Sequence, residues 1–343
     1  MASSLKKLLI GASVAAGMSA IASAPAFAAS LKPSSIQFTT NGVANTTANP
    51  PNINTWTYAP GSPVYDSTGI SGVQRRVLND YNNYGNMDKA AAALTDDDSA
   101  TNVELWTSGE TVGAHVGFTA NLGSNNIKVE SLTKADWADG KLATAWVNGF
   151  LSTYAPLLQS IGLTPTESQK TDIIGYLTNN GFNSAGDPNV GAVTFNDQTG
   201  ALKVDLVGHL DISGKFVNLS NPNNKSPDYD RNKSGNPLLD NALLALARAS
   251  LRDKRPLQVS EIAKITFNGN VDYAYSFSAV DSKAIAGDRK DTTSHTGIYT
   301  WTKNYNQSSP PPTEKSVPEP STLLGLMALG GLIAAQRKVP KKV

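Results

Sequence analysis

The chain has 343 residues, with 29 Lys+Arg against 28 Asp+Glu, 3 His and no Cys. That length allows one large domain or two small ones with a real core, and the absence of cysteine excludes disulfides, thiolate metal sites and cysteine nucleophiles. Charged residues are 17%, below the ~25% of a typical soluble domain; Asn, Ser, Thr and Gly take their place, as suits a β-rich chain with many turns.

The chain opens MASSLKKLLIGASVAAGMSAIASAPAFAAS. Lys6 and Lys7 precede an apolar run from Leu8 to Ala24, and Ala26-Phe27-Ala28 places small residues at alternate positions before Ala29. Charge, apolar core and A-x-A site in that order describe a secretory signal peptide over residues 1–28, cut after Ala28 by signal peptidase.

The body follows, residues 29–307. IQFTT and TWTYAPGSP predict an edge strand or two within long loops across 30–72. A short helix is predicted over Val73 to Tyr84, and a helix or loop from Met87 to Ser99 that ends in Asp96-Asp97-Asp98. Apolar residues alternate in ETVGAHVGFTANL, and Asn125-Asn126 supplies a turn before IKVESL, which predicts an antiparallel hairpin. The period then changes. Thr133 reads as an N-cap with Asp136 three residues on, and Leu142, Trp146, Phe150, Tyr154 and Leu158 recur at steps of four along one helical face. Pro156 is expected to end or kink that helix. Thr164-Pro165-Thr166-Glu167 predicts the next helix, with Thr164 as N-cap; Ile173, Ile174 and Leu177 form its apolar face and Asn180-Gly181 its stop.

Strand patterns return in GAVTF and ALKVDLVGHLDI, around the turn NDQTG. Asn236-Pro237 opens a third helix, whose Arg248, Arg252, Lys254 and Arg255 favour the negative end of its dipole. KITF and VDYAYSFSAV flank the turn Asn268-Gly269-Asn270, with Val271, Tyr273, Tyr275, Phe277 and Ala279 on one face. IYTWTK is the closing strand. The expected fold is α+β: an antiparallel β-sheet or sandwich with an inserted helical pair and a third helix, flanked by the signal peptide and a short C-terminal apolar helix.

The chain ends in three parts. Residues 308–316 form a proline-rich spacer. Val317-Pro318-Glu319-Pro320 must be extended, because proline fixes φ and removes an amide donor. Leu323 to Ala335 carries no charge across 13 residues, and Arg337, Lys338, Lys341 and Lys342 form a basic tail. As a helix, the apolar run spans roughly 20 Å of a hydrocarbon core of about 30 Å, which makes it a short, transient inner-membrane anchor. The basic tail orients it with the body outside, in agreement with the signal peptide.

This tail, VPEPST followed by LLGLMALGGLIAA and RK, resembles the PEP-CTERM sorting signal of bacterial envelope proteins, especially the cyanobacterial kind, over residues 317–343. The resemblance implies removal of the tail by an exosortase, a membrane protease-transpeptidase. It also implies location in the envelope, at the cell surface or outside the cell, a producer rich in exopolysaccharide, and often glycosylation. SLTKADW (Ser131 to Trp137) and GHLD (Gly208 to Asp211) are similar to stretches of other cyanobacterial proteins with this tail, a likeness that implies no activity.

Without the two ends, and with them Lys6, Lys7, Lys315, Arg337, Lys338, Lys341, Lys342, Glu314 and Glu319, 22 basic residues face 26 acidic ones, so the body is about −4 where the whole chain is +1. No electrostatic footprint for nucleic acid remains.

The body offers few chemical constellations. His115, His209 and His295 form no H-x-H or H-x-x-x-H pair and read as structural or solvated histidines. Asp205, His209 and Asp211 fall at alternate positions of a strand pattern, which would put two carboxylates beside one imidazole. Asp228, Asp230 and Asn232 begin like a calcium loop, but Lys233 stands where glycine is needed and Leu239 where glutamate is needed. Trp56, Tyr58, Tyr65 and Trp106 are the candidates for a sugar-stacking platform. The expectation is an exported envelope or matrix protein with a non-enzymatic body, no cofactor and no catalytic residue; the alternatives are a carbohydrate-binding module for exopolysaccharide and a secreted hydrolase.

Overall fold

The computed structural model describes residues 30–45, 54–56, 76–77, 85–96, 98, 101–107, 111–285 and 295–305. In chain order the strands of the two large sheets are β1 (Ser34–Thr40), β2 (Val43–Ala44), β3 (Asn54–Trp56), β4 (Asn102–Glu104), β5 (Val116–Leu122), β6 (Asn125–Glu130), β7 (Asn189–Asn196), β8 (Ala201–Gly208), β9 (Ala263–Phe267), β10 (Asn270–Ala274), β11 (Val280–Asp281) and β12 (Gly297–Asn304). The longer helices are α1 (Met87–Ala93), α2 (Lys141–Ser160), α3 (Glu167–Asn180) and α4 (Pro237–Asp253). One sheet has the order β10-β9-β6-β5-β1-β2 and the other β11-β12-β8-β7-β4-β3, and the pairings are antiparallel.

Alternation explains the sandwich. Val116, Phe118, Ala120 and Leu122 of β5 are buried in the same apolar cluster as Leu202, Val204 and Leu206 of β8, so the two sheets close over one core. Each large apolar side chain buried there contributes about 1.5–3 kcal/mol relative to exposure. Gly117 sits between two of these strands because a Cβ there would lie 2.1 Å from the Val129 carbonyl oxygen; only glycine permits that backbone approach.

The second core is helical. Leu142, Trp146, Phe150, Tyr154 and Leu158 are buried along α2, as the steps of four predict, and they pack with Leu177 of α3 and Leu239 and Leu243 of α4. The Trp146 and Phe150 rings stack at 5.2 Å and 5°. The helices are the predicted insertions: α2 and α3 lie between β6 and β7, and α4 between β8 and β9. The expected α+β class, an antiparallel sandwich with an inserted helical pair and a third helix, is the observed one.

Several local expectations need correction. Thr133 caps a single 3-10 turn, Lys134–Trp137, and α2 starts later at Lys141. Pro156 neither ends nor breaks α2. It stands on the exposed face, and so does Ser152, whose carbonyl loses the amide partner but keeps access to water. The cap of α3 is Thr166, two residues beyond Thr164, because Gln169 completes a capping box: Thr166 Oγ1 accepts from Gln169 N (3.3 Å) and Gln169 Oε1 from Thr166 N (2.9 Å).

The β5–β6 turn is Gly123-Ser124, since Leu122 pairs with Asn125; Asn125 and Asn126 already belong to the strand. The β9–β10 turn is Asn268-Gly269, both at positive φ (48° and 84°), as a two-residue hairpin with right-handed twist demands. Asn268 then ties the two hairpin tips together, accepting from Asn126 N (2.9 Å) and donating to Asn125 Oδ1 (2.8 Å). β10 stops at Ala274, so the single face predicted through Ala279 divides: Tyr273, Tyr275 and Phe277 pack on the helical core, Ala279 packs on the sandwich core, and Val271 is exposed. β1 is an interior strand between β5 and β2 and not an edge. Within the predicted helix over Val73 to Tyr84, the described residues Arg76–Val77 are a strand, paired in parallel with Ala284–Ile285. The Asn236 cap, with Pro237 at the first helical position, and the Gly181 stop stand where the sequence puts them.

Candidate functional site

The densest polar constellation lies where β5, β6 and β9 meet the start of the helical layer. The 3-10 turn after Thr133 points Asp136 inward, where Asp136 Oδ2 accepts from Thr133 N (2.7 Å), Thr133 Oγ1 (3.0 Å) and His115 Nε2 (2.8 Å). Lys264 Nζ sits 2.7 Å from the other oxygen, Oδ1. Burial alone would raise the Asp136 pKa, but hydrogen bonds from His115, Lys264 and the Thr133 backbone outweigh it and hold the carboxyl well below its ordinary range. His115 Nδ1 has no partner among the described residues. Thr133 Oγ1 lies 3.2 Å from the same Nε2. A nucleophile–base–orienter relay needs the hydroxyl and the carboxylate on opposite ring nitrogens, and here both share one. The geometry suits a corner brace: it pins SLTKADW, whose Ser131 Oγ also accepts from Val116 N (2.7 Å) and donates to Ala114 O (2.6 Å).

The other sequence-predicted residues do not converge. β8 ends at Gly208, so His209 and Asp211 leave the strand pattern that would have aligned them with Asp205. Asp205 is buried, accepts from Thr300 Oγ1 (2.6 Å) and pairs with Lys203 (2.8 Å). Asp211 Oδ1 instead accepts from Ser213 N (2.9 Å) and Leu257 N (3.1 Å), joining two loops. His295 is buried at positive φ (61°), and its carbonyl accepts from Ser282 Oγ (2.8 Å). Asp228 precedes the single helical turn Tyr229–Asn232. Its carbonyl accepts from Asn232 Nδ2 (2.8 Å), and Asp230 pairs outward with Lys233 (3.1 Å). Asp96 Oδ1 accepts from Asp98 N (2.8 Å) in a local turn. Trp106 is half-buried, and Trp56 lies on β3; Tyr58 and Tyr65 lie outside the described residues. Among the described residues no three His, Asp or Glu side chains are grouped to hold a metal ion.

Sequence reasoning missed a different acidic group. Asp187 is 2% exposed, and its pKa is pushed up to about 7 by burial and by the nearby Glu104. Glu261 is raised as well, by burial of its carboxyl and by Asp187. No local spacing could have revealed this group: residues 104, 187 and 261 come from three separate segments that only the sheet topology brings together. An apolar cleft of 530 Å3 also opens between α2, α3 and α4, lined by Phe150, Leu163, Pro165, Ile173 and Leu238 among others.

The end segments, with the signal-cleavage residues Ala26, Ala28 and Ala29 and the sorting residues Val317, Pro318, Glu319 and Pro320, lie outside the described residues. Among the described residues no helix is long and apolar enough to cross a membrane. The PEP-CTERM protein-sorting motif matches residues 316–338. No curated protein and no solved structure matches the chain. The chain thus carries the mark of an exported, envelope-associated protein that is sorted through an exosortase.

Proposed function

We propose that this protein is a structural component of the cell envelope or extracellular matrix, delivered in two cuts: signal peptidase removes residues 1–28, and an exosortase removes the tail from the Pro318–Pro320 region onward. The observation that carries this reading is the sorting motif at residues 316–338, preceded by an export signal that places the body on the same side of the membrane. The apolar run from Leu323 to Ala335 then serves as a temporary anchor while the tail awaits cleavage.

A body that acts through its shape and surface, not through turnover, fits the way its conspicuous carboxylates are used. Asp136 braces a corner, Asp205 bridges β8 to β12, and Asp211 ties the end of β8 to the segment before β9. Asp240 holds the entry to α4, accepting from Ser234 N (2.6 Å) and Gly235 N (3.2 Å). The resemblance of the tail to the cyanobacterial kind makes exopolysaccharide the surrounding matrix and glycosylation an expected modification.

Intact-mass measurement on the protein recovered from its producer, fraction by fraction, tests the reading. The expected species lacks both end segments, is found in the envelope or the medium, and carries added sugar mass where it is glycosylated. A membrane-fraction species that keeps the chain through Val343 would falsify the processing and leave a simple anchored surface protein.

A further inference from the structure

We propose that Asp187, Glu261 and Asn189 form a binding site for a hard divalent cation of the calcium class, between the β4–β7 pair of the second sheet and the loops at 185–188 and 257–262.

Register brings the groups together. Glu104 of β4 stands directly opposite Asn189 of β7, so the two side chains share a face. Leu105 N donates to Pro188 O (3.0 Å), carrying the ladder one step further. Asp187 lies in the bend just before Pro188, within electrostatic reach of Glu104. Glu261 arrives from the other side, held by Ile262 N donating to Ala185 O (3.1 Å) and Ser260 N to Ser276 O (3.0 Å).

The unmet polar atoms are all of one kind. Both carboxylate oxygens of Asp187, Oε2 of Glu261 and Oδ1 of Asn189 are sealed from solvent and make no hydrogen bond of ordinary geometry; the Thr107 amide faces Asp187 from too poor an angle or distance to do more than lower its pKa slightly against the burial. Asp187 is 2% exposed and Asn189 is 9% exposed. Every one of these atoms is an acceptor, so the group lacks a donor or a positive charge. A buried acceptor left unmet costs about 1–3 kcal/mol, and more for a charged group, so a fold that keeps four together has a guest.

Four guests are conceivable. A proton on each carboxyl turns two of the four acceptors into donors, so protonation is the guest that competes with a cation here. Lys215 is within electrostatic reach of both Asp187 and Glu261, but it bonds neither Asp187 oxygen nor Glu261 Oε2. Water supplies donors without charge, which leaves the like-charge repulsion between ionised carboxylates in place. A calcium-type ion supplies what is missing, because it takes oxygen ligands from carboxylates and amide carbonyls in flexible geometry. Magnesium keeps several of its waters and demands near-ideal octahedral geometry, which suits a sealed pocket less well; zinc-type ions prefer the nitrogen and sulfur ligands that this site lacks. The ligand set is mixed, two carboxylates and an amide oxygen completed by backbone oxygen or water. In a chain with no cysteine, such an ion takes the place of a disulfide staple between a sheet and two loops.

The test uses the full-length protein prepared in EDTA. Calcium is expected to raise its melting temperature saturably by several degrees, magnesium by less, and terbium is expected to give sensitised luminescence that calcium displaces. The double variant Asp187→Asn/Glu261→Gln, freed of like-charge repulsion, should melt above the wild type in EDTA and lose both the calcium response and the terbium signal. Asn189→Ala should weaken terbium binding at least tenfold in an otherwise intact fold. Wild-type protein that neither binds terbium nor responds to calcium overturns the site, and so does a calcium response that survives in the double variant. A Lys215→Met variant that loses stability in EDTA while calcium leaves the wild type unmoved would make Lys215 the counter-ion and overturn it equally.

Discussion

Asp136 illustrates what a single side chain does in this protein. It is buried, it accepts from a backbone amide, a hydroxyl and an imidazole, and it pairs with Lys264. Replacing it with Asn removes the charge and leaves Lys264 poorly matched in a buried setting, which should cost about 3 kcal/mol. Because the folded pKa lies below the unfolded one, the contribution of this carboxyl is complete above about pH 4 and is lost as pH falls toward the folded value. Urea unfolding of wild type and Asp136→Asn should therefore differ at neutral pH and draw together as pH falls below about 4; equal stabilities at neutral pH would remove Asp136 from the list of braces. The acid in T-K-A-D was legible as part of a cap. Its partners His115 and Lys264 were not, because they reach it from β5 and β9 through pairings that no local window contains.

Among the elements, α2 carries the most informative departure. Its apolar periodicity runs through Pro156 without interruption, and Leu157 and Leu158 are buried beyond it. Burial of that last turn against α3 and α4 outweighs a local penalty of roughly 3 kcal/mol for proline in a helix interior. Pro156→Ala should restore the amide that can bond to the Ser152 carbonyl, while the unfolded chain gains entropy worth about 0.4–1 kcal/mol. A net stabilisation of at least about 1 kcal/mol is expected, read as a rise in melting temperature of a few degrees; a fall would mean that the helix has adapted its packing to the proline. The caps at Asn236 and Gly181 were legible because cap chemistry is local. The cap of α3 was misplaced by two residues because two Thr residues compete there, and the reciprocal bond of Gln169 decides between them.

On the scale of the whole molecule, the two cores draw their buried residues from Phe38 to Tyr299. The last described residue is fastened where it leaves: Tyr305 N donates to Gly200 O (2.8 Å), and Tyr305 OH donates to Asp272 Oδ2 (2.6 Å), which links β10 of one sheet to the end of β12 in the other. Lys303 pairs with the same Asp272. A chain ending after Asn306 should therefore keep the melting temperature of the full-length protein to within a degree or two. A larger fall in calorimetry would show that residues 307–343 contribute to the body's stability.

Legible in the residues alone were the sorting motif, the α+β class, the helical faces, and the caps at Asn236 and Gly181. Each of these rests on periodicity, on charge order along the chain, or on the conformational limits of Pro and Gly, all of which act within a few residues. Tertiary packing set which strands are neighbours, where β8 stops short of His209, and that Asp187 and Glu261 come within electrostatic reach of each other and of Glu104. Those outcomes depend on strand register and on burial between segments tens of residues apart, where desolvation and like-charge proximity arise only once the chain has closed on itself.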